Sequence, residues 1–89
     1  MVQGKIVSKQ EFMKNSPFTK EQYEGILTSV DAQAGCYNIG IQLSENEILV
    51  VEQASDQNIR DRLLAWSNQV DAVQQQYGVK RNPGYGSLQ

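Results

Sequence analysis

The clearest pattern of apolar and polar positions lies between Tyr37 and Leu43. Tyr37, Ile39, Ile41 and Leu43 alternate with Asn38, Gly40 and Gln42. A period of two predicts a strand with one buried and one wet face. Upstream, Ile26, Thr28 and Val30 are β-branched at alternate positions and favour extended backbone. Ala34-Gly35 between these runs supplies a turn. Downstream, Ile48 to Val51 is a continuous apolar run bounded by Glu47 and Glu52, which suits a strand covered on both faces. Connections this short join neighbouring antiparallel strands, so the middle of the chain predicts a meander. The less regular stretch from Val2 to Phe12 reads as a further strand. Between them, Asn15, Ser16 and Pro17 form a turn cluster, and Thr19 with Gln22 has the form of a capping box for a short helical turn.

After Ser55 the period changes. Ile59, Leu63, Trp66, Val70, Val73 and Tyr77 are spaced by four, three, four, three and four residues. This predicts one helix over about 56–77, with Ser55 as N-cap, Asp56 in the first turn and Gly78 just past the end. Asp56 and Arg60, four apart, would pair along that helix. The proline and glycines of residues 78–89 predict an irregular tail, with Tyr85 or Leu88 docked on a neighbouring surface. A helix of this length spans about 33 Å, whereas a six-residue strand spans about 20 Å. The apolar stripe therefore exceeds the sheet that would cover it. The expectation is that Trp66, Val70, Val73 and Tyr77 meet the same helix of a second copy, making a homo-oligomer, most simply a dimer. The expected fold is α+β: a meander of three or four antiparallel strands within 2–52, with barrel closure possible, covered by one long C-terminal helix.

Length and composition bound the rest. Eighty-nine residues, 39% of them hydrophobic and 20% charged, fit one globular domain at 1–89. No apolar run approaches the roughly 20 residues that span a bilayer, so no membrane partner is expected. The opening MVQGKIVSKQ has no continuous apolar segment of the secretory kind. One cysteine, Cys36, cannot form an internal disulfide. A cytoplasmic setting is expected. The net charge of −2 is unevenly spread. Residues 21–56 hold seven acids and no base, while both flanks are basic. That argues against nucleic acid on the middle segment, since phosphate binding needs clustered lysine and arginine. Glu45, Glu47 and Glu52 are the candidate acidic partner face.

The chemistry on offer is sparse. Without histidine, the commonest general base and metal ligand is missing, and Cys36 has no partner for a nucleophile pair or a zinc site. The glycines match no dinucleotide or phosphate loop, and the acids reproduce no calcium loop. The sequence assigns no catalytic, cofactor-binding or metal-ligating residue, and an enzyme is not expected. YEGILTSVD, Tyr23 to Asp31, followed by YNIGIQL, resembles the first half of an Sm-like RNA-binding barrel. The shared features are a glycine then a hydrophobic residue, an aspartate at the strand end, and an asparagine before the next strand. The arginine-glycine pair of that family is replaced by ILVVEQ, and its N-terminal helix is absent. The resemblance implies a strongly bent hairpin and, as a functional alternative, RNA bound by a ring with Asp31 and Asn38 lining its pore. The leading expectation is a non-enzymatic interaction or regulatory protein acting as a homo-oligomer. A further alternative is an acidic decoy that occupies a nucleic-acid-binding partner through Glu45, Glu47 and Glu52.

Overall fold

The computed structural model describes residues 3–14 and 19–79, with the backbone alone at 19–22. Among the described residues, five antiparallel strands form one open sheet: β1 (Lys5–Ser8), β2 (Thr19–Tyr23), β3 (Ile26–Asp31), β4 (Cys36–Gln42) and β5 (Glu47–Ala54), in the order β1-β5-β4-β3-β2. The meander from β2 to β5 follows the expected alternation, and β1 adds to its far side. The sheet does not close into a barrel, because β1 and β2 lie at opposite edges. The chain passes between those edges by way of a short helix, α1 (Lys9–Met13).

That helix corrects the expectation of a strand from Val2 to Phe12. Ser8 ends β1 and caps α1, its hydroxyl accepting from the Glu11 amide at 3.0 Å. The cap satisfies an amide that the first helical turn leaves without an intrahelical partner. The helical turn expected from Thr19 to Gln22 is also overturned, since the segment is strand β2, with Thr19, Lys20 and Glu21 paired to β3 and Gln22 at a register shift. Val2, the turn cluster at 15–17, and Tyr85 and Leu88 lie outside the described residues.

The single long helix is instead two short ones, α2 (Ile59–Ser67) and α3 (Val70–Gln76). Ser55 does act at the start, but its hydroxyl accepts from Asn58 and holds a turn over 56–58, so the helix begins three residues later than expected. The break falls at Asn68 and Gln69. There the Ser67 hydroxyl donates to the Leu64 carbonyl at 2.6 Å, and the Gln69 amide reaches back only to Trp66. Ser and Asn side chains compete with the helical ladder in this way, and neither favours helix interiors. The break resolves the length mismatch. Two helices of about 14 Å and 11 Å follow the sheet where one straight rod would overrun it. Gly78, at φ +80°, ends α3 as expected: the Val79 amide donates to Gln74 and the Gly78 amide to Gln75, which together close the last turn.

Each sheet face has its own core. Ile26, Ile39, Ile41, Leu49 and Ala54 pack under Leu63, Trp66, Val70 and Val73 of the helix pair. On the other face Leu27 and Ile48 pack under Phe12 of α1. Gly40 makes room there: a Cβ on it would lie 2.9 Å from the Phe12 ring and collide with Ile48. The apolar run Ile48–Val51 is thus flanked by a core on either face, with Ile48 facing α1 and Leu49 facing the helix pair.

Candidate functional site

The residues expected to build a helix–helix seam are placed first. Val73 is 1% exposed, Val70 4% and Trp66 9%, all within the chain's own core. Tyr77 is half-buried against the same cluster. Trp66, Val70 and Val73 are thus covered within one chain, while Tyr77 keeps part of its surface exposed.

The acidic face also comes apart. Glu45, in the β4–β5 turn, and Glu47, which opens β5, are both exposed, and Glu47 accepts from the Ser44 hydroxyl. Glu52 is turned under the helices. A one-residue bulge in β5 pairs Ile39 with Glu52 and Gly40 with Val50, leaving Val51 over. Paired residues share a face, so the bulge swings Glu52 to the side of Ile39. Its carboxylate accepts from Arg62 Nε at 2.9 and 3.0 Å and from Trp66 Nε1 at 2.7 Å. Glu52 is a structural tie between β5 and α2.

Among the described residues, one groove lies on each side of the sheet. The first, about 370 Å³, lies where β2, β3 and β4 meet the start of α2, and is lined by Tyr23, Thr28, Tyr37, Ile59, Arg60 and Leu63. Tyr23 ends β2 and is exposed, and Glu24-Gly25 then turns the chain into β3. Tyr37 opens β4, paired with Val30 on one side and Ala54 on the other. Ile59 and Leu63 are a turn apart on α2 and wall the groove, with Arg60 beside them. The Tyr37 hydroxyl donates to Asp56 Oδ1 at 2.9 Å. That hydrogen bond, with the adjacent negative charge, holds the Tyr37 hydroxyl above the usual tyrosine range. Asp56 therefore does not pair with Arg60. It sits in the turn before α2, and its carboxylate is aimed at β4. Among the described residues Arg60 has no ion-pair partner, and the ion pair present is Arg62–Glu52.

The second groove, about 350 Å³, lies on the α1 side over β1, β3, β4 and β5. Its floor is apolar, with Val7, Phe12 and Val50. Across it runs a row of polar side chains. Gln53 Nε2 donates to Asn38 Oδ1 at 2.8 Å, and Asn38 Nδ2 donates to Ser29 Oγ at 3.2 Å. Asp31, at the rim, accepts from the Ala34 amide and shapes the β3–β4 turn. Asp31 and Asn38, the residues singled out by the Sm-like resemblance, thus share this groove.

No cluster of three or more potential metal ligands occurs among the described residues. No described helix is long and apolar enough to cross a membrane. Neither tyrosine was singled out from the sequence. In the sequence Tyr37 belongs to an alternating set with one buried face, and only the turn at 56–58 reveals that its hydroxyl meets Asp56. Comparison with protein-family models, with curated proteins and with solved structures gave no match, so the site rests on its geometry.

Proposed function

We propose that the protein is a small non-enzymatic recognition module whose ligand-taking surface is the groove lined by Tyr23, Tyr37 and Arg60. The observation that carries this reading is the convergence in one open groove of two tyrosines, two aliphatic side chains and an arginine with no ion-pair partner among the described residues. Small-ligand sites are of this type: concave, mostly apolar, with a few polar groups that fix orientation. Tyrosine supplies contact area at low entropic cost, since it has few rotatable bonds. The absence of histidine from the chain and of any acid–base pair in the groove supports binding over catalysis. Self-association through the helix stripe is not part of this reading, because that stripe packs on its own sheet. The half-buried free thiol of Cys36 suits a reducing, cytoplasmic setting.

The test is a fragment screen on the isotopically labelled chain, with binding mapped by amide chemical shifts. Shifts should gather on Tyr23, Thr28, Tyr37, Ile59, Arg60 and Leu63, and Tyr23→Ala should remove them without altering the fold. Hits that map only to the Ser29–Asn38–Gln53 side would move the site across the sheet and overturn the assignment.

A further inference from the structure

Resting on that reading, we infer that the groove takes a small planar aromatic monoanion, an aromatic carboxylate in chemical class. The inference turns on how Asp56 and Arg60 are separated. In a continuous helix from 56 they would be neighbours one turn apart and would neutralise each other. In the structure the Tyr37 hydroxyl holds Asp56 at 2.9 Å, and α2 starts only at Ile59. Arg60 lines the groove and has no carboxylate partner among the described residues. A guanidinium presents a planar fork of donors that matches a carboxylate in two parallel hydrogen bonds.

The body of the ligand follows from the walls. Tyr23 and Tyr37 offer rings, and Ile59 and Leu63 offer aliphatic surface. A flat ring fits that lining through stacking and edge contacts. The volume of about 370 Å³ is at the small end for ligand sites, which favours one ring system over a polymer segment. Charge limits the anion. Asp56 lies just behind Tyr37, so a group carrying close to two negative charges, such as a phosphate monoester, meets more repulsion than a carboxylate does. The Tyr37 oxygen, its proton committed to Asp56, still offers lone pairs and accepts from a hydroxyl on the ligand ring. A hydroxylated aromatic acid is the best match.

The experiment titrates the full chain with 4-hydroxybenzoate, its neutral amide, acetate and phenyl phosphate, read by amide shifts of the groove residues. The acid should bind at the groove, with the amide and phenyl phosphate each about tenfold weaker or more, and acetate showing no saturable shift there. Arg60→Gln should lower affinity for the acid by a similar factor and leave the amide unchanged. Arg60 is exposed, so the variant folds, and unchanged Trp66 emission verifies this. Equal binding of acid and amide, or an Arg60→Gln chain that binds the acid as before, overturns the inference and leaves the recognition module standing. A groove unmoved by any of the ring-bearing probes overturns both.

Discussion

Glu52 ties β5 to α2 with one carboxylate, accepting from a half-exposed arginine and from the nearly buried indole of Trp66. The two contacts differ in weight. An ion pair open to water contributes little, whereas a buried indole N–H without an acceptor loses about 1–3 kcal/mol. Glu52→Gln keeps an acceptor for the indole and should cost little. Glu52→Ala should lower stability by about 1–3 kcal/mol. Urea unfolding followed by Trp66 emission separates them, and equal losses would assign the effect to the Arg62 contact instead. Tyr37 gives a second test at this scale. Its hydroxyl holds its proton more tightly in the folded chain than in the unfolded one. The folded state then gains relative stability that is complete below the ordinary tyrosine range and is lost as pH rises from about 10 through the raised folded value. Phenolate absorbance should show one tyrosine ionising after the others, and Tyr37→Phe should remove that late component. Neither contact was legible in the sequence. Glu52 reads as a solvent-facing acid beside an apolar run, and only the extra residue at Val51 turns it inward. Asp56 reads as a first-turn helical acid, and only the delayed start of α2 sends it to Tyr37.

At the scale of elements, the strands between Ile26 and Ala54 were legible because one buried face imposes a period of two, and the turn at Gly35 because glycine alone adopts its backbone angle cheaply. The strand-to-helix switch at Ser8 was not, since Val7 and Phe12 serve strand and helix equally well. The Ser67–Asn68–Gln69 break was hidden for a related reason: Trp66 and Val70 remain four apart, so the apolar stripe runs through unbroken. Gly25, just before the β-branched run from Ile26, forms the β2–β3 turn at φ +86°. Two glycines with similar backbone angles now allow a clean comparison. A Cβ on Gly35, at φ +68°, meets nothing within 4 Å. A Cβ on Gly25 lies 3.0 Å from Val70 Cγ1 and 3.2 Å from Gln74 Nε2. Gln74 is itself buried and donates to the Gln42 carbonyl at 2.8 Å, which locks α3 onto β4. Gly35→Ala should therefore cost about 1 kcal/mol, the conformational penalty alone. Gly25→Ala should cost more, roughly 2–3 kcal/mol, because strain at the turn adds to displacement of α3. Chemical denaturation of the two variants measures the difference, and a larger loss at Gly35 would contradict the packing at the start of β3.

For the whole molecule, the decisive quantity is where the apolar surface of the helix pair goes. Read from the sequence, a straight helix outruns its sheet and must share its stripe with another copy. Bending the rod at Asn68–Gln69 lets Trp66, Val70 and Val73 reach the same sheet face as Leu63. The drive toward a helix–helix seam disappears with the overhang. The exposed large apolar side chains among the described residues, Ile6, Met13, Tyr23 and Leu64, come from β1, α1, β2 and α2 respectively, and single exposed residues of this kind are ordinary on a soluble surface. Light scattering should then give a monomer near 10.0 kDa at micromolar concentration. Val70→Asp discriminates the two arrangements more sharply than mass alone. On a seam, the charge would split a dimer into folded monomers. In this core, 4% exposed and packed against the β2–β3 turn, the carboxylate has no water and no partner. It must unfold the chain or titrate as a neutral acid, at a cost of several kcal/mol against a total stability of about 5–10. Circular dichroism and Trp66 emission should report an unfolded chain at neutral pH, with partial recovery as the acid is protonated. A folded Val70→Asp monomer derived from a wild-type dimer would return the helix pair to the interface and remove the core described above.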